Sequence, residues 1–120
     1  MLKKIFIAAF MLELTVTQNV SAEEVFIFHD AGYDYYVQTE TFKNKTQYRD
    51  NRAFDVTVTT YYKKSSPREM VYSFWENDGI VWYKFQGHEE TYPVFDRDPA
   101  LRIWYYGLKF LQLDYDVNYD

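Results

Sequence analysis

Asp78-Gly79 sits between two runs in which aromatic and polar residues alternate, Arg68 to Asn77 before it and Ile80 to Gln86 after it. A two-residue loop closes an antiparallel hairpin with the right twist only if both of its residues accept positive φ, and Asp-Gly does so at low cost. Taking Asp78 and Gly79 as the two loop residues fixes the register by counting outward. Asn77 faces Ile80, Glu76 faces Val81, Trp75 faces Trp82, Phe74 faces Tyr83 and Tyr72 faces Phe85. Three of these are aromatic on aromatic, and cross-strand pairs of that kind contribute roughly 0.2–1 kcal/mol each. The two indoles are expected to meet on one face, and the other two pairs on the opposite face.

The same two-residue period marks the other strands. Glu24 to Asp30 reads as a first strand, broken at Asp30-Ala31-Gly32. Tyr33 to Phe42 reads as a second, with Tyr33, Tyr35 and Val37 on one face and Asp34, Tyr36, Gln38 and Glu40 on the other. Residues 43–52 form a polar connection. Ala53 to Tyr62 then places Phe54, Val56 and Val58 on one side and Asp55, Thr57, Thr59 and Tyr61 on the other. Lys63 to Pro67 is a turn, and Glu90 to Phe95 a short strand in which Pro93 removes a ladder donor and so suits an edge. Asp98 as N-cap and Pro99 at the first helical position start a helix, with a strand from Arg102 to Tyr106 as the rival reading. The helix's expected apolar face is Leu101, Trp104, Tyr105, Leu108 and Leu111, with Gly107 costing about 1 kcal/mol inside it.

The fold class that fits is α+β, mostly β: an antiparallel meander of about five to six strands with one C-terminal helix on one face. A small β-barrel is the alternative. Val37, Phe54, Val56, Val58, Tyr72, Phe74, Val81, Tyr83 and Phe85 are the expected core positions.

The N-terminus carries Lys3-Lys4, an apolar run from Ile5 to Leu12 and small residues at Val20-Ser21-Ala22, the layout of a secretory signal cleaved after Ala22. The run is far shorter than the ~20 residues of a membrane span. Residues 1–22 are therefore expected to be a signal peptide and residues 23–120 a single β-rich domain with a C-terminal helix and an acidic tail. This implies an exported protein: periplasmic, cell-surface or secreted. The chain has no Cys, which excludes both disulfides and lipid attachment through an N-terminal Cys, so the domain stands on its apolar core alone.

Without Lys3, Lys4 and Glu13 the domain keeps 11 basic and 17 acidic residues. Nucleic acid needs a clustered basic surface, and here the basic residues are scattered, with Lys63-Lys64 the one adjacent pair. Nucleic acid is excluded as a partner on that ground. Aromatic residues are abundant, with 13 Tyr, 10 Phe and 3 Trp in the whole chain. They suit strands, and Tyr and Trp also suit interfaces because each joins a large apolar body to a polar tip.

The segment Tyr35-Tyr36-Val37-Gln38-Thr39-Glu40-Thr41-Phe42-Lys43, followed by the alternating strand 53–62, resembles small exported bacterial domains of the surface-adhesin protein E type. The likeness spans residues 33–62 by motif, and the remainder by layout. It implies an adhesion or envelope role and assigns no binding residue.

Catalytic chemistry finds little to stand on. His29-Asp30 and His88-Glu89-Glu90 pair an imidazole with carboxylates, but His88-Glu89 lacks the second His of a helical zinc motif. Asp114 to Asp120 has Tyr119 where a calcium loop needs Gly, and it reads as a frayed acidic tail. There is no Gly-x-Ser-x-Gly elbow, and four glycines at 32, 79, 87 and 107 form no phosphate loop. The expectation is a non-enzyme without metal or cofactor: a binding or adhesion module of the cell envelope that engages a protein or envelope component, with self-association as one form of that. A periplasmic carrier of a small apolar ligand is the alternative, should the sheet close. Alternation places Tyr36, Tyr61, Trp75 and Trp82 together on the more polar face, among Asp34, Asp55, Thr57, Thr59, Lys63 and Lys84. Large aromatics in such company are candidate binding anchors.

Overall fold

The structure is a computed structural model, and it describes residues 23–95 and 99–117. The expected signal segment 1–22, the expected cap Asp98 and the last three residues of the tail lie outside the described residues.

The chain runs β1 (Glu24–Asp30), β2 (Tyr33–Gln38), a 3-10 turn (Thr39–Thr41), β3 (Lys43–Asn44), β4 (Ala53–Tyr62), β5 (Arg68–Asn77), β6 (Ile80–Phe85), β7 (Tyr92–Pro93) and α1 (Ala100–Phe110). All strands join one antiparallel sheet in the order β1-β2-β4-β5-β6-β7, with β3 also paired to β4. The sheet is open, so the mostly-β meander with one C-terminal helix is the architecture and the barrel alternative is not. The β5–β6 register follows the count outward from Asp78-Gly79 pair for pair. Asp78 and Gly79 have φ of 52° and 77°, as the hairpin turn requires.

Three expectations need correction. The second strand stops at Gln38 instead of Phe42, because its threonines offer the backbone other partners. The Thr39 hydroxyl donates to the Glu23 carbonyl at 3.2 Å, and the Thr41 hydroxyl donates to the Gln38 carbonyl at 2.7 Å. The same hydroxyl accepts from Thr57 N–H at 2.8 Å, filling a ladder position that the turned backbone has left. Such side-chain bonding is how Thr competes with regular structure.

The helix begins one residue later than expected, with Pro99 at the cap position and its carbonyl accepting from Ile103 N–H at 3.0 Å. Its buried stripe is also turned: Ala100, Ile103, Trp104, Gly107 and Leu108 are buried, while Tyr105 is exposed. Gly107 explains the rotation. A Cβ there would lie 2.2 Å from Phe54 Cζ, so the helix presents its side-chain-free position to a ring of the sheet. Phe54 is wholly buried and stacks on Trp104 with centroids 5.4 Å apart and planes 9° apart. Val37, Val56, Val58, Phe74, Ile103 and Leu108 complete this layer, and Val81 and Phe85 pack against its margin.

The tail, finally, is anchored as far as Tyr115. Leu113 is buried, and the Tyr115 hydroxyl donates to the Arg49 carbonyl at 2.9 Å. The anchor is Arg52, a buried residue within the segment expected to be only a polar connection. Its Nε and Nη2 bind the two carboxylate oxygens of buried Glu76 at 2.7 and 2.8 Å. Nη1 donates to the carbonyls of Leu113 (2.7 Å) and Tyr115 (3.3 Å). A buried ion pair is tolerable when the remaining donors are also satisfied, and the tail carbonyls do that here.

Candidate functional site

α1 covers one face of the sheet and no described element covers the other. Tyr36, Tyr61, Trp75 and Trp82 all project on the uncovered face. Tyr36 pairs with Thr59, Asp34 with Tyr61, and Trp75 with both Ala53 and Trp82, each out of phase with the buried Val37, Val58 and Phe74. All four are half-buried.

They form two spots. Tyr36 and Tyr61 meet edge to face, centroids 5.3 Å apart, and Phe26 of β1 adds a third ring 5.5 Å from Tyr36. The Tyr61 hydroxyl donates to Glu24 Oε1 at 2.9 Å, and that bond, followed by desolvation, raises the phenol pKa above its usual value. Thr59, only 2 % exposed, lies beneath these rings and accepts from Gln38 Nε2 at 2.7 Å. Trp75 and Trp82 occupy the hairpin end, where Trp82 also pairs with Pro93 of β7. The indoles are opposite in register, yet neither makes a ring contact among the described residues. Trp75 instead lines a shallow hollow of about 270 Å³ with Tyr48, Asn51 and Lys45. Thr59 and Ala53, the β4 partners of the two spots, are six residues apart, which is roughly 20 Å at strand rise. The surface between them is polar, with Asp55 (3.4 Å from Lys45 Nζ), Thr57 and Ser73.

Among the described residues the helix-covered face also has concavities. One, of about 590 Å³, is an open groove between β1 and α1 with Phe26, Ile27, Leu101 and Tyr105 on its walls and Arg102 and Lys109 at its edge. Another, of about 230 Å³, lies where α1 no longer reaches, over Val58, Met70, Tyr72 and Phe85. Neither is a sealed interior cavity of the kind a barrel carrier would hold.

Of the two histidines, His29 is in the cross-strand row of Asp34 and Tyr61, at the edge of the tyrosine spot, and His88 is away from both spots. His29 Nδ1 lies 2.5 Å from Asp34 Oδ1 at the exposed β1–β2 corner, and His88 stands edge-on to Phe85. Among the described residues, no three His, Cys, Asp or Glu side chains gather as a metal cluster would. No described helix is long and apolar enough to cross a membrane.

No known protein family, curated protein or solved structure matches the chain.

Sequence reasoning missed Phe26 as a neighbour of Tyr36, because a bulge at Ile27 shifts the β1 register between Phe26 and Phe28 and alternation alone cannot see it. It also missed the uncovered part of the helix side. That signal was present as a mismatch of length: an 11-residue helix is roughly 16 Å long, against roughly 33 Å for the 10-residue strands β4 and β5.

Proposed function

We propose that this chain is an exported, non-enzymatic binding or adhesion module of the bacterial cell envelope, which engages a protein or envelope component through the sheet face opposite α1. The observation that carries this reading is the one-sided packing. A core built on the helix side of the sheet leaves Tyr36, Tyr61, Trp75 and Trp82 with no packing duty toward the helix. Partly exposed Tyr and Trp set among Thr, Asp and Lys have the composition of interface anchors. The carrier alternative rested on a closed barrel, and the sheet is open.

The test is the double substitution Trp75→Thr with Trp82→Thr, alongside Tyr36→Thr with Tyr61→Thr. Threonine keeps strand propensity while removing the ring. Circular dichroism should show retained folding, and capture of the envelope fraction or self-association should fall. Outright unfolding of both double variants would mean that the rings serve the core, and the binding-face reading would be wrong.

A further inference from the structure

The uncovered end of the helix-side face carries a polar group with no hydrogen-bond partner among the described residues. That group is the hydroxyl of Tyr72, which is 7 % exposed and lines the 230 Å³ hollow. Its ring is held firmly, stacked on Tyr83 with planes 8° apart and edge-on to Phe85 at 4.9 Å. Burial pushes the Tyr72 phenol well above its usual pKa, and the neighbouring Tyr35 and Tyr83 add to the shift. A buried hydroxyl left unbonded costs about 1–3 kcal/mol, so such groups are normally paired.

The rest of the hollow is built around that group. Tyr35, whose own hydroxyl has no described partner, lies beside it, and Val58, Met70 and Phe85 form apolar walls. Arg68 of β5, opposite Thr60 of β4, also lines the hollow, with no carboxylate paired to its guanidinium among the described residues. The volume is that of roughly seven or eight water molecules, about one substituted ring. The lining thus joins phenols, apolar and aromatic walls and one guanidinium.

We infer that this hollow is a small-molecule site for an aryl carboxylate bearing a second oxygen at the far end of its ring. The ring would lie between Met70 and Phe85, its outer carboxylate on Arg68 and its inner oxygen on the Tyr72 and Tyr35 hydroxyls. The site is on the opposite side of the sheet from Trp75 and Trp82, and it stands whether or not the binding-face reading does.

Calorimetric titration of the purified full chain tests it, with 4-hydroxybenzoate as the probe. Benzoate lacks the inner oxygen, and 4-hydroxybenzyl alcohol lacks the carboxylate. Saturable one-to-one binding of 4-hydroxybenzoate is expected, weakened roughly tenfold in Tyr72→Phe and by a similar factor in Arg68→Gln. Benzoate should bind the wild type and Tyr72→Phe equally, since it has no group for the hydroxyl to meet. The alcohol should bind the wild type and Arg68→Gln equally. The Trp75→Thr/Trp82→Thr variant should bind the probe as the wild type does. No saturable binding by folded wild type up to about 10 mM overturns the site. So does wild-type affinity in both Tyr72→Phe and Arg68→Gln, or loss of binding in the tryptophan variant.

Discussion

Gly107 reverses the usual expectation for glycine inside a helix. At an exposed position, replacing Gly with Ala gains about 1 kcal/mol by reducing the freedom of the unfolded chain. Here the new methyl would meet the Phe54 ring at 2.2–2.8 Å, and that ring is clamped between Trp104 and Phe74. Gly107→Ala should therefore destabilise by about 1–3 kcal/mol, the cost of overpacking, seen as a lower urea midpoint at unchanged slope. Tyr72 points the other way. Removing its unbonded hydroxyl in Tyr72→Phe should raise stability by about 1 kcal/mol in the same measurement, provided no ligand is present. The phenols also fix the direction of the pH response. Burial raises the pKa of Tyr72 and of Tyr35 above 10.0, so the unfolded chain loses these protons first. Above pH 10 the unfolded state binds fewer protons than the native one, and stability falls as pH rises. Their contribution is thus intact below pH 10 and lost above it. A phenolate absorbance titration should show a class of tyrosines that ionises only together with unfolding.

The β1–β2 hairpin shows an element whose turn chemistry is second best. Ala31 and Gly32 have φ of 53° and 88°, the pattern of a two-residue hairpin loop, but alanine has no side-chain bond to offset its left-handed backbone. Ala31→Asn should stabilise by about 0.5–1 kcal/mol, read as a higher melting temperature. Gly32 has no such latitude, because a Cβ there would lie 2.8 Å from Tyr62 Cε1. The contrast between hairpins also shows where sequence reading succeeds. Residues Arg68 to Phe85 were legible to the register because turn type and alternation are local properties. The face of Tyr36, Tyr61, Trp75 and Trp82 was legible for the same reason. Their division into two spots was not, since it depends on how β2 and β5 are placed along β4. Arg52 and Glu76 were missed because each charge looks solvated until its partner, 24 residues away, arrives. The helix stripe was misjudged because hydrophobic spacing counts side chains, whereas α1 docks through the place where one is missing.

At the scale of the molecule, one short helix on a broad sheet leaves two surfaces of different character. The face opposite α1 is broad, with aromatic spots roughly 20 Å apart and open hollows of about 270 and 370 Å³ beside and between them, and suits a macromolecular partner. The unroofed strip beside α1 is a small hollow with a buried hydroxyl and suits a small molecule. The fold is held at the far side by the Arg52 guanidinium, whose bonds reach across 24 residues to Glu76 and 61 residues to the Leu113 carbonyl. Strands β1 to β6 pair between neighbouring segments, whereas the Arg52 Nη1 bonds join residue 52 to Leu113 and Tyr115, far along the chain. The last bonds of Arg52 therefore depend on the docking of residues 113–115. A version ending at Phe110 should keep its strand signal in far-ultraviolet circular dichroism but lose the sharp cooperative melt. Retention of a wild-type melting transition would show that cooperativity does not depend on residue 113.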